Sequence, residues 1–266
     1  MRRADRGEPP VSTVSGGATI INAAGLTGRK REELRRDFVA NVSHELKSPA
    51  GALALIAETM IGEDDSEVLH RLAERMLSEA DRLNLMIDDL LDFSRLELEE
   101  RPRRAHVSVQ AIVFDAVERV AGNAHARDVR LEIDRVPADL VVNGSRRQLS
   151  SALGNLIENA VKYSREHGTV SVSVIGKTTT VDIRVADAGI GIAASDVPHI
   201  FDRFYRADTA RAHGAGGAGL GLAIVRHVAA DHDGEVLVSS REGRGSTFVL
   251  RLPVSVPTNV SRVETL

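Results

Sequence analysis

The chemistry in this chain starts from a histidine followed by a carboxylate, His44-Glu45, within the run Asp37-Phe38-Val39-Ala40-Asn41-Val42-Ser43-His44-Glu45-Leu46-Lys47-Ser48-Pro49. Neutral imidazole is nucleophilic near neutrality. A carboxylate one residue away can accept the Nδ1 proton, fix the tautomer and stabilise the positive charge that grows as Nε2 is modified. The ordinary alternative is a surface histidine on a solvated helix face, and the second half of the chain decides between the two. There Asn155, Asn159 and Lys162/Tyr163 recur at spacings that line one face of a helix. Asparagine oxygens are hard ligands suited to Mg²⁺, Lys162 is a mobile charge for phosphate, and Tyr163 offers a ring edge to a base. By itself that face is also what an ordinary polar helix surface looks like.

Asp187-Ala188-Gly189-Ile190-Gly191-Ile192 follows an apolar alternation. Asp187 can accept a hydrogen bond from an exocyclic amine there, and the glycines permit close backbone approach, although a tight strand exit has the same composition. Gly214-Ala215-Gly216-Gly217-Ala218-Gly219-Leu220-Gly221-Leu222 runs into a helix, which would aim backbone N–H groups and a positive dipole end at phosphates. Gly243-Arg244-Gly245-Ser246-Thr247-Phe248 opens a last strand and reads equally as a hairpin turn.

The positioning elements follow from periodicity. Val39, Val42, Leu46, Pro49, Leu53, Ile56 and Met60 recur at alternating steps of three and four, the seam of a left-handed helix pair. His44 falls on the opposite side and is expected in solvent, with a kink at Pro49 one turn later. Gly62-Glu63-Asp64-Asp65-Ser66 breaks the period, with Ser66 as the expected N-cap of a second helix. Leu69, Leu72, Met76, Leu83, Met86, Leu90 and Phe93 continue the seam, interrupted by Glu79. Two helices cannot enclose a core, so the seam implies a second copy and a four-helix bundle.

The charged, Pro-broken segment Glu97-Leu98-Glu99-Glu100-Arg101-Pro102-Arg103-Arg104 marks a boundary. Beyond it, Ile112, Val113, Ala116, Val117 and Val120 predict a helix, and short strands are expected at 129–133 and 140–142. A helix over 145–163 follows, then a hairpin from Val170/Val172/Val174 and Val181/Ile183/Val185. A helix near 219–232 and strands at 235–239 and 247–252 complete an α/β sandwich.

The 266 residues suffice for two domains that each bury a core. Apolar residues at 42% and charged residues at 27% are the proportions of a folded, water-soluble chain. With 34 basic against 38 acidic residues and only 3% aromatics, nucleic acid is not an expected partner. The absence of cysteine rules out disulfides and thiolate metal sites. Asp5, Glu8, Pro9 and Pro10 occupy the place of a signal peptide's apolar stretch, and the weakly apolar run 18–26 falls short of the ~20 residues of a spanning helix. The expectation is a cytoplasmic chain, or the cytoplasmic part or associate of a membrane sensor.

In this order and at these separations, the motifs resemble those of the sensor histidine kinases of two-component systems, over residues from about 31 to 252. Ser43 to Pro49 resembles the family's phosphoacceptor box and Asn155 to Tyr163 its Asn box. Asp187 to Gly191 is similar to the first glycine box, Phe201-Asp202-Arg203-Phe204-Tyr205-Arg206 to the phenylalanine box, and Gly217 to Gly221 to the second glycine box. The residues around His44 are most like those of actinobacterial phosphate-sensing kinases. Ser48 stands where many relatives carry Thr, and Ala218 where Ser is usual; neither change removes a backbone donor.

The resemblance implies an α+β fold: a helical-hairpin dimerisation domain, forming a four-helix bundle in the dimer, followed by an α/β-sandwich ATP-binding domain of the histidine kinase/Hsp90-like type. The implied organisation is a flexible leader (1–29), a dimerisation and phosphotransfer domain (30–97), a linker (98–106), a catalytic domain (107–253) and a loose tail (254–266). It further implies an ATP-dependent protein-histidine kinase in which His44 attacks the γ-phosphoryl group with Glu45 as base or orienting partner. Asn159 would bind Mg²⁺ and Asp187 the adenine amine. Asn155, Lys162, Tyr163, Gly189, Gly191, Gly217, Gly219, Leu220 and Gly221 would shape the ATP site, with Arg203 or Arg206 near phosphate and residues 193–216 as a mobile lid.

The phosphoryl group would pass to an aspartate of a response regulator receiver domain. Ser48 keeps a hydroxyl on the same face as His44 for positioning water in regulator dephosphorylation. Input would come from a sensory partner or a missing membrane sensor. Two competing readings are an ATPase clamp without phosphohistidine, against which the helical hairpin speaks, and a non-catalytic dimerisation module, against which the intact Asn159, Asp187 and glycines speak.

Overall fold

The structure, a computed structural model, describes residues 11–14, 18–21, 46–98, 104–207 and 219–255. His44, Glu45 and Gly217 lie outside these residues, as do Val39 and Val42 of the seam and the chain before Leu46 that would bear on a kink at Pro49. The chain forms two compact units: one comprises 1–24, 101–199 and 224–266, the other 25–100 and 200–223. In this division residues 200–223 group with the helical hairpin.

In the helical unit, α1 (residues 46–61) and α2 (Ser66–Leu98) carry the expected seam. Leu46, Leu53, Ile56, Met60, Leu69, Leu72, Met76, Leu83 and Leu90 are half-buried, and Pro49 and Met86 are buried. Leu55, Ile61 and Leu77, off the seam, are exposed. The cap of α2 differs from expectation. Asp65, not Ser66, receives the first turn, its Oδ1 accepting from Glu67 N at 2.8 Å and Val68 N at 3.3 Å. A carboxylate one residue earlier reaches both orphan donors and brings negative charge to the positive end of the helix. Asp65→Ala is therefore expected to lower stability by about 1 kcal/mol, read by thermal unfolding, with Ser66→Ala near neutral.

The other unit is built on a seven-stranded sheet in the order β1-β2-β8-β9-β7-β6-β4. Its strands are β1 (Val11–Val14), β2 (Ala18–Ile21), β4 (Arg130–Ile133), β6 (Thr169–Gly176), β7 (Thr180–Asp187), β8 (Glu235–Arg241) and β9 (Gly245–Pro253). All neighbours are antiparallel except β4 and β6. A two-stranded sheet pairs β3 (Ala105–Ser108) with β5 (Val141–Gly144). The helices are α3 (Val109–Ala126), α4 (Arg146–Tyr163) and α5 (Gly221–Asp231). One side chain in two along β6, β7, β8 and β9 is buried (Val170, Val172, Val181, Ile183, Val185, Val236, Val238, Phe248, Leu250, Leu252). With them are buried Ile112, Val113 and Val120 of α3 and Leu149, Leu153, Leu156 and Ile157 of α4. At roughly 25 cal/mol per Å² of apolar surface, this is the dominant stabilising term of the unit.

Two segments read as structureless are strands. Val11-Ser12-Thr13-Val14 and Ala18-Thr19-Ile20-Ile21, expected in a flexible leader, form a hairpin whose second strand pairs with β8, Ile21 opposite Val236. Both are rich in β-branched residues around Ser15-Gly16-Gly17, and β8 would otherwise present unpaired edge groups. In these two four-residue strands the alternation is too short to stand out from the Gly/Ser/Pro-rich surroundings. Likewise Ala105–Ser108, placed across the expected linker and the start of the helical pattern, pairs Val107 with Val142. At the other end the backbone stays ordered past residue 253, since Ser255 N–H donates to Val141 O at 2.8 Å.

Two buried polar groups fix the packing. Asp182, with a fully buried side chain, accepts from Lys177 Nζ at 2.7 Å and Arg251 Nε at 2.6 Å. Burial pushes its carboxyl upward, and the hydrogen bonds from Arg251 and Lys177 outweigh that and hold it below the usual range. His232, 3% exposed, bridges the end of α5 to the start of α4. Ser145 N–H can only donate, so Nε2 accepts it at 3.0 Å, and the Nδ1 proton goes to Val228 O at 2.7 Å. Burial lowers the pKa of this ring, consistent with the neutral form that acceptance at Nε2 requires.

Candidate functional site

Helix α4 begins where Ser145 caps it, Oγ accepting from Gln148 N, and ends at Tyr163 before Ser164 turns extended. Its apolar stripe, Leu149, Leu153, Leu156, Ile157, Ala160 and Val161, is buried, which leaves Asn155, Asn159, Lys162 and Tyr163 half-buried along the edge. Lys162 Nζ lies 5.3 Å from the centre of the Tyr163 ring, and Arg127 Nη1 donates to Lys162 O at 3.1 Å. Asn155 Oδ1 accepts from Arg119 Nη2 of α3 at 2.8 Å.

The end of β7 is joined directly to the end of this helix. Ile190 N–H donates to Tyr163 O at 3.2 Å, and a Cβ on the buried Gly189 would stand 2.0 Å from the same oxygen. Backbone packs on backbone here, which no side chain at Gly189 would permit. Gly191, with φ +68°, lies so close to Arg241 O that a Cβ would be 2.1 Å away, and Ile190 O accepts Gly243 N–H at 2.7 Å. Gly245, with φ +92°, abuts Asp187 O in the same manner at 2.0 Å. Ser240 Oγ completes the joint, accepting from Ile192 N at 2.9 Å and donating to Gly245 O at 3.1 Å. Three segments distant in sequence thus meet: the end of α4, the turn 187–192 and the β8–β9 turn.

Asp187 sits at this junction, half-buried, its Oδ1 accepting Gly189 N–H at 2.8 Å. Burial pushes its carboxyl above the ordinary range, opposed by the backbone N–H groups of Gly189 and Ser246. The result is a carboxylate with one oxygen tied to the main chain, suited to receive a single oriented donor such as an exocyclic amine.

The structure therefore brings together Asn155, Asn159, Lys162, Tyr163, Asp187, Gly189 and Gly191 in one unit. Arg203, Arg206, Gly219, Leu220 and Gly221 belong to the other. There Phe204 N–H donates to Gly219 O at 3.1 Å, and Gly219, with φ +72°, would clash with Phe204 and Tyr205 backbone if it carried a Cβ. Leu220 is buried, Gly221 opens α5, and Arg203 and Arg206 are half-buried. Ser48 is exposed in the first described turn of α1.

Sequence reasoning missed Arg119, which lies on a different helix from the residue it bonds, and Gly245, Ser240 and Ser246. The run Gly243-Arg244-Gly245 was a signal for Gly245, but a hairpin turn explained it equally. Among the described residues no group of three or more His, Asp or Glu could hold a metal ion. The amide oxygen of Asn159 nevertheless suits a hard cation that shares its coordination with phosphate and water, as Mg²⁺ does.

Residues 34–99 match the His Kinase A (phospho-acceptor) domain family, and residues 144–256 match the family described as histidine kinase-, DNA gyrase B-, and HSP90-like ATPase. The sensor-like histidine kinase SenX3 of Mycobacterium tuberculosis is 47% identical over 229 residues, 85% of this chain and 56% of the relative. The phosphate regulon sensor protein PhoR of Pseudomonas aeruginosa is 36% identical over 236 residues, 88% of this chain and 52% of the relative. The chain thus spans little more than half the length of these relatives. Among solved structures, histidine kinase ThkA in complex with response regulator protein TrrA superposes with a TM-score of 0.68 over 85% of this chain and 64% of that one, at 21% identity, a likeness of fold. No helix among the described residues is long and apolar enough to cross a membrane.

Proposed function

This chain belongs to the sensor histidine kinases of two-component systems, and from that membership we propose that it is an ATP-dependent protein-histidine kinase that autophosphorylates His44 and passes the phosphoryl group to an aspartate of a response regulator. The observation that supports the reading is the joint at which the Asp187-Gly189 turn packs on Tyr163 O, because it joins an oriented carboxylate to the end of the helix that carries Asn155, Asn159 and Lys162. An adenine amine can donate to Asp187, the triphosphate lies toward Asn155, Asn159 and Lys162, and Tyr163, Gly189 and Gly191 wall the site. Asn159 would hold Mg²⁺ with the phosphates, and the ion would supply charge neutralisation at the transferring group. By the resemblance, Arg203 or Arg206 would add positive charge near phosphate, Gly217, Gly219, Leu220 and Gly221 would shape the nucleotide site, and residues 193–216 would be the lid. The nucleotide domain is taken back to Arg104, because β3 pairs within it.

In the transfer, Nε2 of His44 forms a bond to the γ-phosphorus as the bond from that phosphorus to the bridging oxygen of ADP breaks. Glu45 holds the Nδ1 proton and offsets the imidazolium charge. An aspartate oxygen of the receiver domain then takes the phosphoryl group and restores the imidazole. Positioning and charge neutralisation are the main demands of such a reaction, so a nucleotide lobe and a separate nucleophile can divide the work. The half-buried seam of α1 and α2 supports a homodimer, in which a second copy covers it. Ser48 is assigned the positioning of water in regulator dephosphorylation, and the kinase works in the cytoplasm with a sensory partner or membrane sensor.

Incubation with γ-labelled ATP tests the reading. The expected product is a label that is acid-labile and base-stable, and that His44→Gln abolishes. ATP hydrolysis with no protein-bound label would overturn it.

A further inference from the structure

We propose that Arg119 is a positioning residue of the nucleotide site: it fixes the amide of Asn155 so that its N–H edge, not its oxygen, is offered to an ATP phosphate. The inference rests on the reading that α4 is the nucleotide face.

Arg119 stands on α3, and its guanidinium lies across the backbone of α4 at Gly154. A Cβ on Gly154 would come within 2.6 Å of Nη2 and 2.8 Å of Cζ, so the glycine makes the room that the guanidinium fills. From there Nη2 donates to Asn155 Oδ1 at 2.8 Å and to Ser151 O at 3.3 Å, and Nη1 reaches Ser151 Oγ at 3.4 Å. A guanidinium has donors only, so the amide atom that faces it must be the oxygen, whichever way the amide is drawn. With Oδ1 held, the other edge of the amide is Nδ2, a donor.

Two consequences follow. Asn155 is matched to an anion, a phosphate oxygen, and a cation at its Oδ1 would have to displace a charged donor and sit beside a fixed positive charge. The metal-ligand role therefore falls on Asn159 alone, one turn along the same face. Arg119 acts through Asn155 and not on the reacting atoms.

The test is calorimetric titration of the full chain with ATP, alongside the Mg²⁺ dependence of ATP binding. Arg119→Met is expected to weaken ATP binding by roughly fivefold, as loss of an exposed charge-assisted hydrogen bond would, with the Mg²⁺ midpoint unchanged. Asn155→Ala should weaken binding similarly, and the double variant should be no weaker than Asn155→Ala alone, because one residue works through the other. Arg119→Lys, which restores a charged donor, should recover most of the loss. Asn159→Ala should instead raise the Mg²⁺ midpoint.

Wild-type affinity in Arg119→Met, penalties that multiply in the double variant, or a Mg²⁺ midpoint displaced by Arg119→Met would overturn the proposal. Failure of the underlying site reading looks different: wild-type protein that binds no ATP, or Asp187→Asn and Asn159→Ala that bind it as wild type does, would remove the nucleotide face itself and the proposal with it.

Discussion

Asp187→Asn is expected to lower ATP affinity about 100-fold while raising the melting temperature of the nucleotide-free protein. The two effects have one cause. Asp187 Oδ1 is occupied by Gly189 N–H at 2.8 Å, so an asparagine here would keep its oxygen on that donor and turn its own NH₂ toward the adenine amine. Donor would face donor, and an unmatched polar pair in a site of this kind costs about 1–3 kcal/mol, the upper end being a factor near one hundred. Burial raises the Asp187 carboxyl, so the folded state holds the proton more tightly than the unfolded chain does. The stability tied to that proton is present at low pH and is lost as pH rises through the raised value. A neutral amide escapes this loss.

Binding has the opposite slope. The ionised carboxylate is the acceptor, so wild-type affinity should fall as pH drops through the raised pKa, at a higher pH than an ordinary carboxylate would give, while the variant is flat. Calorimetry and thermal unfolding across the acidic range measure both. A variant that binds ATP like wild type would show that Asp187 does not meet the base.

The second large effect is expected at Gly245, where Gly243 supplies an internal control. Both have positive φ, +92° and +75°. A Cβ at Gly243 meets nothing within 4 Å, whereas one at Gly245 would lie 2.0 Å from Asp187 O and 2.7 Å from Ala188 Cα. Gly243→Ala should therefore cost only the left-handed conformation, about 1–2 kcal/mol. Gly245→Ala should cost about 3 kcal/mol or more, because backbone must also move in a packed interior. The moved backbone is that of Asp187, so ATP affinity should fall with stability in Gly245→Ala and hold in Gly243→Ala. Urea unfolding of the two variants is the measurement, and equal losses would show that the β8–β9 turn does not brace the site.

Much of the fold could be read from local pattern. The seam of α1 and α2, the helices α3 to α5 and the strands β6 to β9 each carry enough residues for a period of two or of three to four to show, and the short β4 and β5 are marked by their apolar β-branched content. The hairpin β1–β2 and strand β3 show no such period: four residues hold two alternations at most, and what makes them strands is an edge to pair with, β8 for one and β5 for the other. The cap at Asp65 failed for a smaller reason, since Asp64, Asp65 and Ser66 are all competent caps and only the register of the helix selects one.

By itself the sequence determined the chemical inventory: which side chains can act as nucleophile, acceptor and phosphate partner, and in what order they occur, because type and spacing survive without a fold. Tertiary structure alone decided which of them share a surface and how each is turned. Asp187 is tied to Gly189, Gly245 touches Asp187 across some sixty residues of chain, and Arg119 turns the amide of Asn155. Such contacts depend on where the sheet and α4 place distant backbone, and no local periodicity records that.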